Sequence, residues 1–308
     1  MSCQNDVPKG DEESESNLDG YEFTFHPYRG AYHLPCDALE QERMEFQNAL
    51  LVKCSGDQLI FSPFSESNPP RSILDIATGT GDWPMAIGDL FPTAKIIATD
   101  LSPIQPIDVP PNVTFFVEDS SEPWIYDEKF DYIHTRNTAS CWSDFETQVA
   151  QQAFESLVPG GWFEAQELYV LPHSDDGTLA PDSALSLWCE DLHAAAAVVD
   201  RPLGWMPQLR SIFERVGFVD VKVRVFKMPL NGWPKDEKLK ELGQMWEWNM
   251  QTGIKGLSSS FFHHAYDRSE AEIEVSNPEI HAYLPFYVVW GRKPVKPKKG
   301  KPESNVRR

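Results

Sequence analysis

The chain has 308 residues, with 27 Lys or Arg against 47 Asp or Glu and a formal net charge of −20. Apolar residues at 41% and aromatics at 12% supply a core for one large domain, or one domain with an insertion, and exclude disorder or a coiled coil for the bulk of the chain. So acidic a body is repelled by phosphate backbones, which excludes a general nucleic-acid binder.

Residues 1–20 are polar and acidic, without the apolar stretch of a signal peptide, and are expected to be disordered. No apolar run approaches the roughly 18 residues needed to span a bilayer. The five cysteines (Cys3, Cys36, Cys54, Cys141, Cys189) form no C-x-x-C pair, so zinc and redox motifs are unsupported and no metal is expected. Together these features predict a reduced, cytoplasmic protein with no membrane partner.

Residues 21–70 hold one amphipathic helix, Ala38 to Leu51, marked by Leu39, Met44, Phe46, Leu50 and Leu51. Residues 71–228 then alternate strands with helices. Strands are predicted at Ser72–Ile76, Lys95–Thr99, Val113–Val117, Phe130–Thr135 and Trp162–Leu168. Helices fall at Trp83–Phe91 and Phe145–Leu157. Such alternation argues an α/β fold, a doubly wound parallel sheet covered on both faces. Asp182–Val199 and Met206–Val216 read as helices and Val219–Met228 as a strand. Residues 229–280 form an aromatic-rich helical cap, and 281–294 contain the last strand, His281–Gly291, of a seven-stranded sheet. Residues 295–308 complete a basic tail: from Arg292 to Arg308 there are eight Lys or Arg and one Glu. That tail reads as a solvated terminus, and it also fits nuclear import or docking to a protein partner.

The most informative segment is Ile73-Leu74-Asp75-Ile76-Ala77-Thr78-Gly79-Thr80-Gly81-Asp82-Trp83, an apolar strand entering a glycine-containing turn that opens a helix. Glycines let the backbone approach a ligand, and a helix N-terminus offers free N–H donors. Asp100 closes the next strand, where a carboxylate can accept both hydroxyls of a ribose. Glu118 and Asp119 close the third, where an acceptor can meet an adenine amino group. Three consecutive strands thus present a glycine or acid at the carboxyl edge, where open α/β sheets bind ligands. Pro84 stands where a dinucleotide fingerprint has its third glycine. Asp75, four residues before Gly79, suits a cationic amino group better than a pyrophosphate. The loop therefore favours an amino-acid-bearing nucleoside over NAD, and no phosphate-binding G-x-x-x-x-G-K-[ST] loop occurs.

From about Tyr28 to Pro294 the sequence resembles the class I S-adenosylmethionine-dependent methyltransferases, and within them the fungal LaeA-like group. The resemblance is carried by Tyr32-His33-Leu34-Pro35, Glu40-Gln41-Glu42-Arg43, Asp75–Trp83, Asp100–Pro106 with Val109–Val113, Phe130–Arg136, Pro159-Gly160-Gly161-Trp162 and Ser174–Thr178. It implies a Rossmann-like seven-stranded fold with its last strand antiparallel, S-adenosylmethionine as cofactor, and methyl transfer in fungal secondary metabolism. Carried over by residue, Asp75, Gly79 and Gly81 would hold the methionyl part of the cofactor, with Ala77 and Thr78 of the same turn also in the cofactor site. Asp100 would bind the ribose, Leu101 would lie beside the adenine, and Glu118 and Asp119 around its edge. Arg136 and Asn137 would face the sulfonium and methyl, and Tyr28 and Tyr32 would belong to an N-terminal lid. Three departures stand out. Ala77 occupies the first glycine position of the turn, Asn48 replaces a histidine, and the stretch between Phe261 and Ile280 is short.

For catalysis, His264 in the cap is the candidate base, and Glu167 at the end of the fifth strand is a candidate substrate contact or an internally paired carboxylate. His134 and His193 read as core histidines before catalysts. Met245, Trp246, Trp248 and Met250 form a stripe that belongs to the core or lines an apolar pocket. The expected substrate is a small, largely apolar molecule. Regulation through protein partners, or a rearrangement with the cofactor retained, are the alternatives. The sequence leaves the oligomeric state open.

Overall fold

The computed structural model describes residues 15–18, 21–24, 37–261 and 273–295. Strand β1 (Glu15–Leu18), inside the segment 1–20 expected to be disordered, pairs antiparallel with β2 (Tyr21–Thr24) just after it. Helix α1 (Ala38–Cys54) starts where the Asp37 side chain accepts the Glu40 N–H at 3.0 Å. The sheet then builds outward from β3 (Ser72–Ile76). Its neighbours are β4 (Lys95–Asp100) on one side and β6 (Phe130–Arg136) on the other. Beyond them lie β5 (Val113–Val117) and β7 (Leu157–Leu168), all parallel.

Strand β10 (Ala282–Arg292) runs antiparallel between β7 and β9 (Val219–Pro229), as the sequence anticipated for the final strand. The sheet has eight strands where seven were expected. The addition is a two-residue strand, β8 (His173–Ser174), which pairs with Ala282 and Tyr283. Because β4 and β6 flank β3 on opposite sides, the chain changes winding direction there, and a crevice opens at their carboxyl ends.

Helix α2 (Asp82–Leu90) opens at Gly81, whose φ of 86° is left-handed. Pro84 sits in its first turn, where a missing N–H costs nothing. The helix expected over Phe145–Leu157 is two pieces, a π-turn at Glu146–Ala150 and α3 (Gln151–Ser156). Helices α4 (Ala184–Val198) and α5 (Leu209–Val216) match their predicted positions. The cap contains one 25-residue helix, α6 (Glu237–Phe261). Its Leu242, Trp246, Met250 and Ile254, four residues apart, pack with Leu50, Leu51 and Trp188 into a core under β9 and β10. The stripe containing Trp246 and Met250 is therefore core, while Trp248 is half exposed.

One side of the sheet is thinly covered. Neither residues 101–112 nor residues 118–129 form a helix, so β5 ends the sheet with Phe116 and Val117 half exposed. No helix among the described residues is long and apolar enough to cross a membrane.

Candidate functional site

A cavity of about 150 Å³ occupies the crevice at the carboxyl ends of β3, β4, β5 and β6. Asp75, Ala77, Thr78, Gly79, Asp100, Leu101, Glu118, Asp119, Arg136 and Asn137 all border it. Gly81 does not. A Cβ there would lie 2.6 Å from Phe115 Cζ, so this glycine lets the α2 start close onto β5. Tyr28, Tyr32 and His264 lie outside the described residues.

The loop after β3 is held by the strand beside it. Thr78 N–H donates to the Thr99 carbonyl at 2.9 Å, and Gly79 N–H donates to Asp100 Oδ2 at 2.7 Å. The other carboxylate oxygen of Asp100 accepts from Ser102 N–H at 2.9 Å. Burial pushes the Asp100 carboxyl up to about 6, against the opposing pull of the Ser102, Gly79 and Leu101 N–H donors. Each oxygen keeps lone pairs for a further donor. A methyl added to Gly79 would meet nothing within 4 Å, so open space faces this turn. Ala77, at the departed glycine position, has φ 52°, a left-handed conformation that an alanine holds at a cost of about 1–2 kcal/mol.

Asp75 is fully enclosed. Its Oδ1 faces His134 Nδ1 at 2.7 Å, and its Oδ2 accepts from the Thr78 hydroxyl at 2.5 Å. His134 borders the cavity and stacks on Trp83 with ring centres 3.6 Å apart. A carboxylate offers no hydrogen, so the imidazole proton sits on Nδ1. Burial holds the His134 pKa below its ordinary value despite Asp75, which keeps the ring neutral. Arg136, two residues on, donates from Nη2 to Asn48 Oδ1, and its Nη1 is buried without a partner. Burial lowers the Arg136 pKa to about 10, so the side chain stays cationic at neutral pH.

At the other end, Tyr126 donates to Glu118 Oε2 at 2.7 Å. Asp119 Oδ1 accepts from Ser121 N–H and hydroxyl at 2.9 and 2.6 Å. Glu167 is absent from the cavity wall. Its oxygens accept Thr138 N–H and the Thr138 hydroxyl, each at 2.7 Å, which fixes the corner after β6. Burial pushes its pKa up to about 8. In place of a substrate contact or a Lys or Arg partner, Glu167 has a backbone corner to hold.

The roof was missed by sequence reasoning. Met44, Gln47, Asn48 and Leu51 of α1 border the cavity, and their spacing of three, one and three residues is a single helix face. That spacing was a readable signal. Gln47 accepts from Arg43 Nη1 at 2.6 Å and from Asn249 Nδ2 at 3.1 Å, joining α1 to α6. Trp142 and Cys141, from the loop after β6, also border the cavity and carried no local signal.

Residues 57–223 match a family model described as a methyltransferase domain. The chain is 33% identical to methyltransferase pytC of Aspergillus terreus, covering 94% of each. It is 31% identical to the secondary metabolism regulator LAE1 of Cochliobolus heterostrophus, over 88% of this chain and 92% of that one. Among solved structures, a phosphoethanolamine N-methyltransferase of Haemonchus contortus aligns with a TM-score of 0.50 at 18% identity. That match covers 80% of this chain and about half, 52%, of the other, and bears on the fold alone. A sheet with its crevice between β3 and β6, an acid at the end of each of β3 and β4, and a family match over more than half the chain agree: the protein belongs to the methyltransferase-domain family, with S-adenosylmethionine as its cofactor.

Proposed function

We propose that the protein methylates a small, largely apolar molecule of fungal secondary metabolism. The observation that carries this reading is Asp100, a buried carboxylate at the carboxyl edge of β4 that is tied to the turn at Gly79 and still has acceptor capacity at both oxygens.

The donor set suits the cofactor. Asp100 would take the ribose hydroxyls, Asp119 the adenine edge and Asp75 the α-ammonium, with open space at Gly79 for the chain between them. When bound, the cofactor supplies an electrophilic methyl group on a sulfonium. The residues here bind, orient and exclude water. Met44, Leu51 and Trp142 give the cavity apolar walls, and transfer rests chiefly on alignment. Thr138, locked by Glu167, fixes the β6 corner from which Arg136 and Asn137 reach the cavity. A base for a hydroxyl acceptor is assigned to His264. The domain limits read from the sequence, with the core at 71–228 and the cap at 229–280, are part of the same proposal.

Incubation with methyl-labelled S-adenosylmethionine and extract of the host fungus tests the reading. Label in an organic-extractable small molecule is the expected result. The similarity to LAE1 favours a second reading, action on or through partner proteins, for which label would appear in the protein fraction or nowhere. Unlabelled product formed with cofactor retained would mean a rearrangement.

A further inference from the structure

We propose that the bare edge of β5 is a docking site for an extended, basic segment of another protein, which adds to the sheet as a further strand.

Backbone geometry points there first. Strand β5 ends the sheet, and its partner is β4. Ile96 N–H donates to the Asn112 carbonyl and Glu118 N–H to the Asp100 carbonyl, each at 2.9 Å. Peptide groups alternate in direction along a strand, so those of residues 112, 114, 116 and 118 face β4 and those of Val113, Phe115 and Val117 face away. The Val113 N–H is taken by the Pro110 carbonyl at 3.0 Å. That leaves the Phe115 and Val117 N–H groups, and the carbonyls of all three residues, pointing outward with no backbone partner among the described residues. Natural sheets blunt such an edge with a charge, a proline or a bulge inside the strand. Val113-Thr114-Phe115-Phe116-Val117 has none of these, and its register with β4 runs without a break.

The side chains say what kind of strand fits. Phe116 and Val117 are more than half exposed, and Ile107 and Ile125, in the loops that enter and leave β5, stand almost fully in solvent. Apolar groups left out at an open edge mark a surface that another chain covers. The surrounding charges select that chain. From residue 101 to residue 128 there is no Lys or Arg, while Asp108, Glu122 and Asp127 are exposed acids. This rim repels a second copy of a chain whose net charge is −20 and attracts a basic segment. A strand with apolar side chains at every second position and Lys or Arg between them meets all three features. Its backbone takes up the outward peptide groups, its apolar face covers Phe116 or Val117, and its cations meet the acidic rim.

The probe is a short dye-labelled peptide alternating valine with lysine, compared by fluorescence anisotropy with its valine–glutamate counterpart on the full-length protein. At about 0.05 M salt the lysine peptide should bind at least about tenfold more tightly, and at about 1 M salt the gap should close to below about threefold. Amide exchange locates the contact: the Phe115 and Val117 N–H groups should exchange more slowly with the peptide bound. Val117→Pro removes one outward N–H and none that faces β4. It should weaken the lysine peptide by about tenfold and leave S-adenosylhomocysteine binding intact. If that variant fails to fold, the double variant Glu122→Lys, Asp127→Lys decides, with a similar loss of about tenfold through charge alone. Equal binding of the two peptides, binding of neither, or protection elsewhere than at β5 overturns the proposal. So does an affinity for the lysine peptide that the deciding variant leaves unchanged. A wild-type dimer at about 0.05 M salt that Val117→Pro splits would give the edge to a second copy, and overturns it too.

Discussion

Asp100 makes cofactor affinity depend on pH, with a sign that follows from its surroundings. Its carboxyl is pushed up to about 6 from an ordinary value near 3.8 by burial, and the backbone N–H donors of Ser102, Gly79 and Leu101 only partly offset that. Ribose hydroxyls donating to Asp100 stabilise the ionised form, so binding drives its pKa back down and affinity rises with pH. If the bound group returns to its ordinary value, affinity at pH 5 should be about tenfold weaker than at pH 7.5, or about 1.4 kcal/mol. Stability of the ligand-free fold runs the other way. The native state binds more protons than the unfolded chain between about 3.8 and 6, so this group's contribution declines as pH rises through that window. Calorimetry with S-adenosylhomocysteine at pH 5, 6 and 7.5 measures the first effect. Asp100→Asn serves as the control, since it should bind about tenfold more weakly at pH 7.5 and lose the pH dependence. An affinity constant over that range in the wild type, or an unchanged slope in Asp100→Asn, would refute the reasoning.

Two further outcomes follow from backbone geometry. Ala77→Gly removes a left-handed alanine and should be neutral or stabilising by up to about 1 kcal/mol, although glycine normally weakens a fold. A loss above about 1 kcal/mol in a urea melt would show that the turn is unstrained. Gly243→Ala places a methyl onto the Asn231 carbonyl oxygen, 2.7 Å from its carbon and 3.0 Å from Pro229 Cβ, so α6 must move off the end of β9. Overpacking of this kind should cost about 2–3 kcal/mol and lower Tm by roughly 4–8 °C, and an unchanged melt would contradict the close docking.

What was legible in the sequence is what local spacing encodes. The run from Asp75 to Gly81 and the acids ending the next two strands announced the sheet, its winding and the floor of the cavity, because each depends on a few adjacent residues. The roof could not be reached that way. Gln47 and Asn249 are 202 residues apart, and their hydrogen bond exists only once α6 has packed on α1. Glu167 sat on the correct strand and the correct edge, but its partner, Thr138, was a loop residue without a motif. The cap stripe was ambiguous for a related reason: residues four apart declare a buried face, but whether a ligand or another helix buries it is decided by tertiary packing. Ala77 showed up as a departure from a pattern, and only the fold revealed that the position still demands a left-handed backbone.

The bare flank at β5 has a colloidal consequence. Val113-Thr114-Phe115-Phe116-Val117 is a short uncharged segment of high strand propensity at the end of a sheet, with one row of peptide groups open to pairing. Its protection is electrostatic: Glu118 and Asp119 follow at once, and the chain as a whole carries −20. Two copies approaching edge to edge repel one another before the strands can zip. Salt shortens that reach, from about 10 Å at 0.1 M to about 3 Å at 1 M ionic strength. Precipitants that work by ionic strength will therefore uncover the flank at β5, which no crossover helix among the described residues covers, and the protein keeps best in dilute salt at a pH well above its isoelectric point of about 4.7.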